Sequence, residues 1–171
     1  MRQGRLDRVS VAIATGFYIS YIPSALAKRY APGLGRSTGA GFAGTLLGLA
    51  LLPLLPRDGL RFGLALAAAT AAACAASDRA ERHFGVHDDT RIVIDETVGF
   101  WAAAWALPRT ATALTAAFVL FRVLDSTKPP PCRWLERLPG GLGVVFDDVG
   151  AGLLANALIR LAAALRPGLL A

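Results

Sequence analysis

Cysteine and histidine are nearly missing from this chain, which has two of each. Cys74 lies in an alanine-rich run and Cys132 in a proline-rich loop, a spacing that suits neither a disulfide framework nor a zinc knuckle. With only His83 and His87 present, no serine or cysteine stands in recognisable spacing with a histidine and an acid, so a nucleophilic triad has no support. Lysine is equally scarce, and the net charge of +6 rests on arginine. These cations are scattered singly between apolar runs and no nucleic-acid motif accompanies them. That argues against nucleic acid and leaves anionic lipid or a phosphorylated substrate as the partner. No G-x-x-x-x-G-K loop occurs, and no stretch alternates apolar and polar residues long enough for a strand. Alanine and leucine dominate instead, which predicts an all-α fold.

Apolar residues make up 54% of the chain, with a mean hydropathy of +0.49. That is high for a soluble protein and low for a transporter built almost wholly of spans. Residues 9–27, 37–56 and 62–77 carry no charge. The first two approach the roughly 20 residues a helix needs to cross the hydrocarbon core, and the third is shorter. Lys28, Arg29, Arg36, Arg57 and Arg61 occupy the joints, where interfacial cations are expected. Arg2, Arg5 and Arg8 before the first run resemble the start of a signal peptide, but no small-residue cleavage site follows. The expectation is a compact, membrane-associated multi-helix bundle, one domain over residues 1–171, with transmembrane helices in the N-terminal half.

Past residue 78 the chain changes character, and eight of its twelve acids fall between Asp88 and Asp148. Asp95-Glu96 is expected to open a helix over residues 97–107, stopped by Pro108. Asp125 is expected to close the next, residues 110–123, before Pro129-Pro130-Pro131. Asp147-Asp148 is expected near the start of a last helix over residues 144–165. If those ends pack on one side, five carboxylates converge, and such a group is stable only around a cation. Hard oxygens without converging sulfur or nitrogen favour Mg²⁺ or Mn²⁺ over zinc. The competing reading is helix capping, since acids in a first turn gain about 0.3–1 kcal/mol from the macrodipole. Arg122 shares a helix face with Asp125, either as a plain salt bridge or, with Lys128, as a grip on phosphate. The basic segment of Arg133, Trp134 and Arg137 suits an interfacial anchor. The glycines at 39, 41 and 44 read as close helix packing.

Three stretches carry a family resemblance. Val86-His87-Asp88 with Ile92-Val93-Ile94-Asp95-Glu96-Thr97-Val98-Gly99-Phe100-Trp101 resembles the H/K-D…I-V-x-D-E-x-x-G-x-W block of phosphatidylglycerophosphatase A. Phe121-Arg122-Val123-Leu124-Asp125-Ser126-Thr127-Lys128-Pro129-Pro130-Pro131 resembles its F-R-x-x-D-x-x-K-P-x-P block, and residues 140–152 resemble its G-G-x-G-x-x-x-D-D-x-x-A-G block. The resemblance implies Mg²⁺-dependent hydrolysis of the phosphomonoester of phosphatidylglycerophosphate, giving phosphatidylglycerol, at the bacterial inner membrane. It implies a phospholipid partner and functional roles for Asp88, Asp95, Glu96, Asp125, Lys128, Asp147 and Asp148. All of these but Lys128 are expected metal ligands; Arg122, Lys128 and Thr45 are the expected substrate contacts. The family's proline-glycine-threonine and glycine-serine pattern in the first hairpin is replaced by Gly41-Phe42-Ala43-Gly44-Thr45 after an apparent insertion near residues 24–37. That departure bears on the choice of head group.

Two other classes remain. The D-G-x-x-A-R signature of CDP-alcohol phosphotransferases and the P-S-G-H core of histidine-nucleophile lipid phosphatases are both absent. A non-enzymatic membrane protein that carries ions would place acids in mid-span, whereas here they fall at helix ends.

Overall fold

The computed structural model describes residues 4–30 and 39–170, so Arg36 and much of the segment 24–37 lie outside the described residues. The described chain is all helix: α1 Arg5–Ala14, α2 Tyr21–Tyr30, α3 Ala40–Leu51, α4 Gly59–Phe84, α5 Ile94–Ala104, α6 Ala111–Thr127, α7 Pro130–Leu135 and α8 Gly141–Leu165, with a 3₁₀ turn at Leu52–Leu54. The all-α expectation holds.

Of the three expected N-terminal spans, the run 62–77 lies inside α4, and the other two are corrected. The uncharged run 9–27 is two short helices, because Gly16, Phe17 and Tyr18 all take positive φ (58°, 55° and 67°) and break the chain between them. The run 37–56 forms only the 12 residues of α3, about 18 Å long, before the turn containing Pro53. Among the described residues, the helices long and apolar enough to cross a membrane are α4 and α8, one in each half of the chain. Only 33% of the most apolar stretch of α4 is buried, against 61% for α8, so α4 keeps the larger apolar face outside the core.

Local signals explain where these helices start and stop. Asp58 caps α4 by accepting from Arg61 N–H at 2.8 Å, and Gly85 ends it with φ 69°. Thr110 caps α6 through Ala113 N–H at 3.2 Å. At its other end Lys128 takes a left-handed φ of 43° before Pro129, which cannot continue a helix. Before α8, Gly140 has φ 57° and ψ −147°, a conformation open almost only to glycine.

α5 is the centre of the bundle and packs against α3, α4, α6 and α8. Phe100 and Phe121 are fully buried with Val98 and Val145, each such side chain contributing about 1.5–3 kcal/mol of apolar burial. A second, smaller cluster joins Val11 and Ala14 to Ala80, Ile92 and Val144. Hydrogen bonds set the register of the inner helices. Thr97 Oγ1 donates to Gly44 O (2.9 Å) and Trp101 Nε1 to Gly48 O (2.8 Å), locking α5 to α3. Asn156 Nδ2 donates to Ala103 O (2.8 Å), locking α5 to α8. Gly44 serves close packing, as expected, since a Cβ there would sit 2.6 Å from the Val93 carbonyl oxygen, whereas Gly39 caps α3 with a left-handed φ of 77°.

Candidate active site

Three helices and one loop bring their acids to one cavity. Asp95 and Glu96 lie in the first turn of α5. Asp147 and Asp148 lie in the second turn of α8, not at its start as expected, because that helix already begins at Gly141. Both are buried, so the capping explanation fails for them: a cap residue sits in the first turn. Asp125 lies in the last turn of α6, and Lys128 is that helix's left-handed cap. Asp88 and Asp89 come from the loop between α4 and α5. All seven carboxylates and the two cations Arg122 and Lys128 line one cavity of about 580 Å³.

The expected residues do not stand equally. Asp95, Glu96 and Asp148 form the innermost set, each offering a carboxylate oxygen, all within 4.8 Å of one another. Asp125 Oδ2 is taken by Arg122 Nη1 at 2.8 Å, and Asp147 Oδ2 by Lys128 Nζ at 2.7 Å. Asp88 lines the wall from the loop. Thr45 is fully buried and absent from the cavity lining; its hydroxyl donates to Gly41 O (3.0 Å) and accepts from Arg122 Nη1 (3.4 Å). It therefore reaches the cavity only through Arg122. Gly39, Gly41 and Phe42, at the start of α3, also line the cavity, and a Cβ on Gly41 would collide with Glu96 Oε1. His87 is turned outward onto Glu81.

Three buried oxygens lack a hydrogen-bond partner at this site: Asp95 Oδ1, Glu96 Oε2 and Asp148 Oδ2. Each belongs to the innermost set. Leaving such an atom unmatched costs about 1–3 kcal/mol, and more when charged. The proton balance shows the same strain. Burial, then the charge of Glu96, raises the Asp95 carboxyl well above the usual carboxylate range. Burial pushes Glu96 up to about 7, opposed by a hydrogen bond with Asp95 and by Arg122, and aided by Asp125. Burial and mutual repulsion thus favour the protonated carboxyls where no cation is bound. All three orphaned atoms are hard oxygens, so the residues present fit a divalent cation that takes oxygen ligands.

The cations are held more firmly. Burial alone would lower the Lys128 ammonium, but hydrogen bonds from it to Asp147 and Glu136 (2.8 Å) outweigh burial and raise it. Asp89 is held below its ordinary range, first by its hydrogen bond from Arg91, so it stays ionised against the loop. Sequence reasoning passed over Glu136 as an anchor for Lys128 and Glu81 as an anchor for the loop. Neither carries a local signal: both read as acids on solvated surfaces.

A family model described as phosphatidylglycerophosphatase A matches residues 12–163. The phosphatidylglycerophosphatase A of Escherichia coli K12 is 42% identical over 80 residues, 46% of each chain, so that alignment spans less than half of the relative. The enzyme of the same name from Haemophilus influenzae is 38% identical over 69% of this chain and 72% of its own. A provisionally named phosphatidylinositol-3-phosphatase of Bacteroides thetaiotaomicron is 36% identical over 89% of this chain and 92% of its own. No solved structure matches the chain at a significant level. With the family model covering most of its length, and with those acids and cations around one cavity, the chain belongs to the phosphatidylglycerophosphatase A family.

Proposed function

We propose that the chain hydrolyses the terminal phosphomonoester of phosphatidylglycerophosphate to phosphatidylglycerol, at the bacterial inner membrane, with Mg²⁺ held by Asp95, Glu96 and Asp148. The observation that carries this reading is the trio of buried, unpartnered carboxylate oxygens beside two anchored cations. Bound there, Mg²⁺ supplies a Lewis acid toward the phosphoryl oxygens and the attacking water.

The chain's own residues supply the rest. Lys128 has three N–H donors, and Asp147 and Glu136 take two. The remaining donor serves a phosphoryl oxygen or the departing alkoxide. Arg122 gives one nitrogen to Asp125 and Thr45; its other nitrogens can neutralise phosphate charge from the cavity wall. Asp125 and Asp147 thus orient the cations, while Asp88 closes the loop side. The product alcohol stays on the lipid, and inorganic phosphate leaves.

Membrane association is supported by the long apolar helices α4 and α8 and by exposed Trp134 on α7 beside Arg133 and Arg137. A second head group is favoured by one observation: the relative named for a phosphatidylinositol 3-phosphate substrate aligns over most of this chain. Two residues of the segment that departs from the family pattern, Gly41 and Phe42, line the cavity. Phosphate release from phosphatidylglycerophosphate in mixed micelles, by purified protein with and without Mg²⁺, tests the main reading. No release with Mg²⁺ present would reject it.

A further inference from the structure

Glu81 stands outside the cavity, yet it is tied to the loop that carries two of the cavity's acids. α4 ends at Gly85, where the positive φ reverses the chain, so residues 86–88 return along the helix's last turn. There Glu81, only 8% exposed, uses a single oxygen for two partners. Its Oε1 accepts the Asp88 backbone N–H at 2.6 Å and pairs with His87 Nδ1 at 2.6 Å. Asp88 has φ 51°, a left-handed conformation that costs a non-glycine residue about 1–2 kcal/mol and persists where its surroundings enforce it. The far side of the loop is fastened separately. Arg91 holds Asp89 through two hydrogen bonds of 2.8 Å, its guanidinium lies 3.8 Å over the Phe84 ring, and its carbonyl accepts from Ser20 Oγ at 2.7 Å.

We infer that Glu81 is a positioning residue whose hydrogen bond to the Asp88 amide holds the Asp88 carboxylate over the Asp95–Glu96–Asp148 set. Asp88 lines the same cavity, and its charge is felt by Asp95. A rotation at its strained backbone would carry that carboxylate out of the cavity. The rival account is a plain ion pair between Glu81 and His87. The two accounts differ in which property of Glu81 matters, reach or charge. Glu81→Gln keeps the reach of the acceptor oxygen and removes the charge. Glu81→Asp keeps the charge and withdraws the oxygen by one methylene.

The test measures amide hydrogen exchange at residues 86–92 and turnover of phosphatidylglycerophosphate, on the full chain in detergent. The exchange arm is run without metal. E81D is expected to speed exchange at the Asp88 amide and to lower kcat by about 10- to 100-fold, the range for residues that orient a metal site's ligands. E81Q is expected to stay near wild type in both. In an Asp88→Ala background E81D should cost little further, because its effect runs through Asp88. E81Q as damaging as E81D, unchanged exchange in E81D, or full additivity with Asp88→Ala would each overturn the inference. The activity arm rests on the proposed phosphatase reading, and the exchange arm does not. Wild-type protein that releases no phosphate would defeat that reading, and exchange alone would then decide the role of Glu81.

Discussion

Gly152 of α8 rests on Gly99 of α5 so closely that a Cβ on Gly152 would collide with the Gly99 carbonyl oxygen. A Cβ on Gly99 would in turn fall 2.9 Å from the Asp148 carbonyl oxygen and 2.8 Å from the Phe121 ring. One turn upstream of each glycine, on the same faces, stand Asp148 and Asp95. The parallel contact of two glycines therefore sets how near two buried carboxylates come. Gly152→Ala should push α8 outward, destabilise the protein by about 1–3 kcal/mol, and lower turnover out of proportion to the fraction unfolded. Denaturant melts paired with turnover of the folded fraction check this. A variant with wild-type turnover per folded molecule would show that the spacing of Asp95 and Asp148 has slack.

Asp95→Asn and Asp148→Asn keep shape and delete charge at two of the three positions with unmatched oxygens. Each should lower turnover by orders of magnitude. In metal-free protein each should leave stability equal or higher, because a mutually repelling, desolvated charge has gone. Melts of the two variants beside wild type in chelator separate the outcomes. Loss of folding at either position would make that carboxylate structural.

Metal-free protein should also report this crowding through pH. The folded chain keeps a proton on Glu96 up to about 7, whereas the ordinary glutamate value is 4.5. Across that window the native state binds more protons than the unfolded one, so stability falls as pH rises from about 4.5 to about 7. Chelator should abolish activity, and Mg²⁺ should restore both activity and the stability lost at pH 8. Thermal melts at pH 5 and pH 8, each with EDTA or Mg²⁺, check the sign. Higher stability at pH 8 than at pH 5 in EDTA would contradict a crowded, cation-free set.

The sequence made the acids legible because doublets beside alanine-rich helices are costly without a purpose. It could not show which of them meet, since that depends on the backbone contact of Gly99 with Gly152 and on the register set by Asn156 and Thr97. It put Asp147 and Asp148 close to the start of their helix, but the Gly140 conformation lets α8 begin at Gly141, three residues before the expected start, and both acids lie in the interior. The run 62–77 sits in a helix long enough to span, whereas the run 9–27 does not, because hydropathy does not register the left-handed residues at 16–18. The grip of Glu81 on Asp88 depends on a chain reversal that no local pattern announces.

The last expectation concerns what the cavity accepts. Its acids belong to a bundle whose outer surfaces on α4 and α8 are apolar, with Leu60, Leu64, Leu161 and Leu165 all more than half exposed. Trp134, 66% exposed, lies on the short helix that follows Lys128. A water-soluble phosphomonoester needs none of these surfaces, whereas a phospholipid gains binding by burying acyl chains against them. Phosphatidylglycerophosphate should therefore be strongly preferred over glycerol 3-phosphate in kcat/KM, though both present the same phosphomonoester chemistry. Phosphatidylinositol 3-phosphate is the sharper competitor, because it shares the lipid anchor and differs only in the head group offered to a cavity lined by Gly41 and Phe42. Competition of all three in mixed micelles separates the contributions. Equal use of glycerol 3-phosphate would make the apolar surface irrelevant to substrate choice. Preference for the inositol lipid would keep the lipid phosphatase reading and change its head group.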